Sequence, residues 1–179
     1  YRKTYVIGCF IIFLITSCTS SQSTDLVDFV NPYLGNISHL LVPTYPTVHL
    51  PNSMLRVYPE RADYTGDLLN GLPVAVTSHR GSSAFNLSVF QGDELELKPV
   101  IPYSYDREKI TPYDYFVYLD EQETSVYYAV SHQSGIYELT FGHTDPVYLI
   151  LNSRRGELQW DGKAFSGYQQ LQNNTRIFV

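Results

Sequence analysis

Four side chains stand where polar groups can be held against a hydroxylated ligand: His49, Asn52, His79 and Arg80. The first two sit in Val42-Pro43-Thr44-Tyr45-Pro46-Thr47-Val48-His49-Leu50-Pro51-Asn52-Ser53-Met54. Three prolines within nine residues exclude a helix and predict a stiff extended loop, because each fixes its own φ and restricts the residue before it. Rigid loops hold hydrogen-bonding groups in place for a ligand. The plainer alternative is that His49 and Asn52 satisfy neighbouring backbone. His79 and Arg80 lie in Thr77-Ser78-His79-Arg80-Gly81-Ser82-Ser83, a polar stretch that ends an apolar strand. Ser78 and His79 do not read as a nucleophile–base dyad. Adjacent strand residues point to opposite faces, and no G-x-S-x-G elbow surrounds the serine. Contact with ligand hydroxyls suits the pair better.

Other chemistries find less support. The five histidines, His39, His49, His79, His132 and His143, are ten or more residues apart and form no H-x₃-H or HExxH motif, so no histidine metal site is predicted. Carboxylates at Glu60, Asp63, Asp67, Asp106, Asp114, Asp120 and Glu121 include no pair that spacing alone sets at a hydrolytic separation. The rings of Tyr103, Tyr105, Tyr113 and Tyr115 either stack on sugars or pack along strand edges. No phosphate loop or dinucleotide fingerprint is present.

The elements that must position these groups are strands. Past Asp25 no capped 3.6-residue pattern occurs, and short alternating or β-branched and aromatic runs follow one another instead. They cover Ser53–Tyr58, Leu72–Thr77, Phe85–Val89, Glu94–Leu97, Tyr113–Leu119, Ser125–Val130, Ile136–Phe141 and Val147–Leu151. Asp161-Gly162 between Glu157–Trp160 and Lys163–Gly167 predicts a hairpin. Turn residues recur about every ten positions, as in a sandwich. The predicted fold class is therefore all-β, a β-sandwich.

The first residues predict an address. Arg2 and Lys3 precede an apolar run, Val6 to Ile15, which is too short to span a bilayer. Small residues then lead into Cys18. The order resembles a bacterial lipobox, which implies a lipoprotein signal peptide over 1–18 and lipidation of Cys18. The alternative is a plain secretory signal. Ser/Thr/Gln-rich Thr19–Thr24 reads as a flexible tether, and 25–179 as the domain. The expected location is outside the cytoplasm, lipid-anchored at the bacterial outer membrane, on its periplasmic face or at the cell surface. Absence of charge in Thr19–Thr24 favours the periplasmic face.

Charge and cysteine narrow the partners. The net charge of −6 falls by two, to −8, once Arg2 and Lys3 are removed. No basic cluster follows, so no nucleic-acid partner is expected. The only cysteines are Cys9 and Cys18, so the folded part carries no disulfide. The chain opens on Tyr1 and stops inside the strand-like run Thr175–Val179, which reads as a fragment of a longer protein.

Taken in order, several pieces resemble the N-terminal domain of family-92 glycoside hydrolases, bacterial exo-α-mannosidases. They are Val30-Asn31-Pro32-Tyr33-Leu34-Gly35, the proline-rich loop with Pro46, Pro51, Ser53 and Met54, the strand-ending Ser78-His79, and Gly135-Ile136-Tyr137-Glu138-Leu139. The likeness spans about 25–179. It implies a galactose-mutarotase-like supersandwich, incomplete at its C-terminus. It also implies calcium-dependent, inverting removal of a terminal α-linked sugar, in that family mannose. The catalytic residues and Ca²⁺ would lie on a following (α/α)₆ helical domain, so this fragment carries no catalytic residue, metal or cofactor and is inactive alone. Its partners would be that helical domain, the glycan and the membrane. Gly66–Pro73 stands where the family carries an aromatic loop, and Arg80-Gly81 where it carries a second histidine. These departures leave room for another sugar. The alternative functions are a non-catalytic carbohydrate-binding or scaffolding lipoprotein module, or an adhesin-like structural sandwich.

Overall fold

A computed structural model describes residues 25–36, 44–61, 66–77 and 83–179. Cys18, the signal and tether segments, His79 and Arg80 lie outside the described residues. The strands, in chain order, are β1 (Leu68–Asn70), β2 (Leu72–Val76), β3 (Ser83–Gln91), β4 (Pro102–Ile110), β5 (Asp114–Leu119), β6 (Thr124–Val130), β7 (Gly135–Phe141), β8 (Val147–Asn152), β9 (Gly156–Trp160), β10 (Phe165–Gln170) and β11 (Arg176–Phe178). All helical structure among the described residues is short 3₁₀ turns. The strands form three antiparallel sheets, ordered β1-β4-β5-β6-β7, β2-β3-β8 and β11-β10-β9.

The first two sheets bury one core between them. Tyr115, Val117 and Leu119 line the inner face of β5, and Val126 and Tyr128 that of β6. Leu72 from β2 and Val89 from β3 face them. The period of two in β5 and β6 is what puts one face in the core. Gly71 alone separates β1 from β2, and the chain changes sheet there. Its φ is +69°, and a Cβ would lie 2.1 Å from the Asn86 Oδ1. The corner therefore requires glycine. Asn86 in turn donates from Nδ2 to the Asn70 carbonyl at 2.7 Å.

Sheet three is clipped to sheet two by one side chain. Buried Gln169 on β10 accepts the Phe85 N–H at 2.8 Å. Phe85 has φ +56°, which breaks the β2–β3 pairing at that residue and leaves its N–H for Gln169. Gln169→Leu strands that donor, and a buried unpaired donor costs about 1–3 kcal/mol. Thermal unfolding should show a melting temperature lower by about 2–4 °C per kcal/mol. A wild-type melting temperature would remove Gln169 from the framework.

Several expectations need correction. Glu94–Leu97 is not a strand. Asp93 caps a 3₁₀ turn over Glu94–Glu96 by accepting the Leu95 N–H at 3.0 Å, and Leu95 is 92% exposed. A local side-chain cap outcompetes a strand that has no partner. Ser53–Tyr58 yields only a bridge, Val57 to Val48. The Asp161-Gly162 hairpin forms, but Trp160 pairs with Phe165, so four residues turn it. The Asp161 carboxylate accepts from the N–H groups of Lys163 and Ala164, both at 2.8 Å. The tyrosines read as a possible sugar platform are largely interior: Tyr103 and Tyr115 belong to the core.

Candidate functional site

The proline-rich loop is stiff because it is pinned at both ends. Val48 and Val57 exchange backbone hydrogen bonds of 2.8 and 3.1 Å and are buried. Between them the chain turns, with Ser53 N–H donating to the Leu50 carbonyl at 3.1 Å. Asn52 sits at the exposed tip with φ +58°, a conformation asparagine tolerates better than most residues. Its side chain makes no hydrogen bond among the described residues. The Ser53 hydroxyl oxygen accepts the Leu55 N–H at 3.1 Å. Its own proton has three acceptors within reach, the carbonyls of Leu55, Ser131 and His132 at 3.1, 3.1 and 3.2 Å. Met54 N–H adds a bond to the His132 carbonyl at 2.8 Å. The turn between β6 and β7 is thus bound to the loop, a pairing 78 residues apart that no motif signals.

His49 is held in the same way. Its N–H donates to the Pro112 carbonyl at 2.9 Å, and its ring Nε2 lies 3.2 Å from the Ser53 carbonyl. A carbonyl can only accept, so this contact selects the Nε2–H tautomer. That is the backbone-satisfying arrangement allowed for in the sequence, and it leaves Nδ1 for a ligand. Of the two loop residues, Asn52 has the freer side chain.

The loop also meets the strand that leads to His79. The Val76 N–H, at the end of β2, donates to the Arg56 carbonyl at 2.7 Å. Two residues later come Ser78, His79 and Arg80. A cleft of about 320 Å³ opens beside this junction, walled by Thr44, Tyr45, Thr47, Arg56 and Pro112 from the loop and the β4–β5 turn, and by Pro32 from the opening segment.

The opening segment Val30–Gly35 is fastened by a buried polar cluster. The Tyr33 hydroxyl donates to Glu108 Oε2 at 3.4 Å, and the Tyr115 hydroxyl to Glu108 Oε1 at 3.3 Å. Arg61 closes an ion pair on the same carboxylate, with side-chain exposures of 7% and 11% for the two partners. The guanidinium also lies 5.0 Å over the Tyr105 ring. Burial, and then the Glu108 charge, pushes the Tyr33 phenol up to about 12. Burial would lower Arg61, but the Glu108 bond and charge outweigh it and raise it. Gly35, at φ +82°, turns the chain so that its carbonyl accepts the Thr44 N–H at 2.9 Å. The opening motif therefore ties the start of the domain to β4 and to the proline-rich loop.

Two of the half-buried carboxylates are spoken for. Glu108 holds Arg61, and Glu60 holds Arg154 and the Ser83 hydroxyl. Among the described residues no group of His, Cys, Asp or Glu side chains is arranged to hold a metal ion.

The sequence model of the glycosyl hydrolase family 92 N-terminal domain matches residues 29–178. The fold is similar to that of the family GH92 alpha-mannosidase BT3965 from Bacteroides thetaiotaomicron, with a TM-score of 0.65 and 17% identity. That match covers 79% of this chain and 23% of the other, so the chain spans less than a quarter of that protein. No curated protein matches.

Proposed function

The chain belongs to glycosyl hydrolase family 92, and from that premise we propose that it is the carbohydrate-facing N-terminal sandwich of an exported, α-mannosidase-like hydrolase. It packs on a helical catalytic domain and lends loops to the sugar pocket. The family match over residues 29–178 carries the proposal. The junction of the proline-rich loop with the end of β2 supports it, because Arg56 of the loop is bonded to Val76, two residues before the chain enters Ser78–Arg80. Hydrogen-bonding groups on a rigid framework suit sugar hydroxyls. Hydrolysis belongs to the partner domain, since inversion needs a carboxylic acid and a carboxylate set across a water. Calcium, for which the described residues offer no ligand set, would also sit there. Export and lipid attachment at Cys18 complete the proposal, and mass spectrometry of the mature protein tests them through an acylated N-terminal cysteine.

The decisive variant is His79→Ala in the full-length protein, assayed on a terminal α-mannoside. We expect kcat/KM to fall about tenfold or more, the effect of losing one good hydrogen bond to substrate, with an unchanged melting temperature. Unchanged kcat/KM would remove His79 from the pocket. Absence of all α-mannoside hydrolysis, with retained glycan binding, would favour the non-catalytic module instead. The replacement of the family's aromatic loop by Gly66–Pro73 is the observation on that side.

A further inference from the structure

Among the described residues four of the six arginines are engaged, and Arg155 is exposed to solvent. Arg61 and Arg154 sit in ion pairs, while Arg107 and Arg176 lie over the rings of Tyr118 and Tyr168 at 5.5 and 4.3 Å. Arg56 differs. It is half-buried and walls the 320 Å³ cleft, yet its guanidinium has no hydrogen bond or ion pair among the described residues. Partial burial of an unpaired charge is unfavourable, and a protein of net charge −6 has many carboxylates that could have met it.

The rest of the cleft is built. Tyr45 lies on buried Tyr58, ring centroids 4.5 Å apart and planes 6° from parallel. The backing ring fixes the orientation of Tyr45 at the cleft wall, so little side-chain entropy remains to be lost on binding. Thr44 and Thr47 add hydroxyls to the lining. Arg56 itself is locked through its backbone, since its carbonyl accepts the Val76 N–H at 2.7 Å. Tyr45, Thr44, Thr47 and Arg56 thus share one small concave surface with Val30, Pro32 and Pro112.

We propose that this cleft is a subsite for an acidic sugar residue, with its anionic group on the Arg56 guanidinium and its ring against Tyr45. The guanidinium fork matches a uronate carboxylate and a phosphate monoester alike. The sugar part of the inference rests on the function proposed above, and the charge part does not. The subsite would select glycans carrying a charged residue beside the one that is cleaved.

The test is titration calorimetry on the full-length protein with glucose, glucuronate and glucose 6-phosphate, which share a ring and differ at C6. The wild type should bind at least one of the two anions about tenfold or more tighter than glucose, and affinity should weaken with added salt. Which anion it prefers tells carboxylate from phosphate. Arg56→Gln should bring the preferred anion down to the affinity of glucose, and Arg56→Lys should restore only part, because a point charge lacks the fork. Thr47→Val, which removes a lining hydroxyl and no charge, serves if the Arg56 variants fail to fold, and should also weaken that anion. Equal affinity for all three sugars, or an anion preference that survives Arg56→Gln or, in its place, Thr47→Val, overturns the subsite. Hydrolysis of a neutral α-mannoside by the same wild-type preparation is read separately. Its absence would count against the proposed function and leave the anion titration standing.

Discussion

Glu108→Gln is expected to lower the melting temperature by on the order of 10 °C, one of the two largest effects of a single side chain in this domain. The glutamine keeps the shape of the glutamate but not its charge. Arg61 then remains, 7% exposed, without a counter-ion. Breaking a buried pair from one side costs about 3–5 kcal/mol, against a total stability of about 5–15 kcal/mol for a domain. At about 2–4 °C per kcal/mol for this size, the shift is easily read by calorimetry. The double variant Arg61→Met/Glu108→Leu separates charge from packing. It removes both ions together, so it should recover most of the loss, as buried pairs replaced by apolar groups often do. It should not recover the tether to Tyr33, whose hydroxyl uses the same carboxylate. Hydrogen exchange in residues 30–36 should therefore be faster in the double variant than in the wild type. Unchanged exchange there, or a Glu108→Gln melting temperature within 2 °C of wild type, a margin well inside the cost of one broken buried pair, would show that the cluster is not what fastens the opening segment.

Glu108 also shows where a sequence stops being legible. Asp106 stands out in the sequence as a candidate carboxylate and Glu108 does not, and a strict period of two puts both on one face. The structure separates them with a bulge. Between Asp106 and Lys109 the β4–β5 register shifts by one, and Arg107 takes φ +55°. Inward positions before the shift are Tyr103 and Tyr105, and after it Glu108 and Ile110. Bulges re-aim side chains in this way, and no residue type announces one here. β4 itself escapes pattern reading for the same reason, whereas β5 through β8, which alternate without interruption, are found to within a residue or two.

The candidate site divides along similar lines. The stiffness of the proline-rich loop follows from its composition, and the structure adds only the partners. That the loop would meet the end of β2 and the β6–β7 turn does not follow, because what it meets on both distant segments is backbone N–H and C=O groups. Such groups carry no side-chain signature, and meeting them depends on chain path. Arg56 had no motif around it. What marks it is the absence of a partner among the described residues, where Arg61, the other half-buried arginine, is paired, a property of three dimensions. The family resemblance, by contrast, needed only the order of short segments, and the match over residues 29–178 upholds it.

Tyr103→Phe is the second large expectation. Tyr103 rises from β4 across the core, and its hydroxyl meets both backbone groups of Val89 on β3. It accepts the N–H at 2.7 Å and donates to the carbonyl at 2.8 Å. β2 pairs with β3 only as far as Leu72 opposite Leu87, so Val89 has no neighbouring strand on that edge. The phenol takes the place of the missing strand for one residue and joins the two sheets. Without it a buried donor and a buried acceptor are both unmet, at about 1–3 kcal/mol each. A loss of several degrees in melting temperature should follow, with no change in strand content by circular dichroism. The pH dependence offers a sharper test. Burial, partly offset by the bonds to Val89 and Ser88, pushes the Tyr103 phenol up to about 12, while in the unfolded chain a tyrosine ionises near 10. Between pH 10 and 12 the unfolded chain gives up this proton and the folded chain keeps it. The unfolded state then binds fewer protons, and stability falls as pH rises. Below pH 10 the contribution is intact. Tyr103→Phe removes one ionising group from the unfolded state. The alkaline loss of stability in the variant should therefore be shallower by about 1.4 kcal/mol per pH unit. Denaturant midpoints measured at pH 9, 10 and 11 read this directly. Parallel curves for the two proteins would mean that Tyr103 ionises as freely in the fold as outside it, and that the sheets are held together by something else.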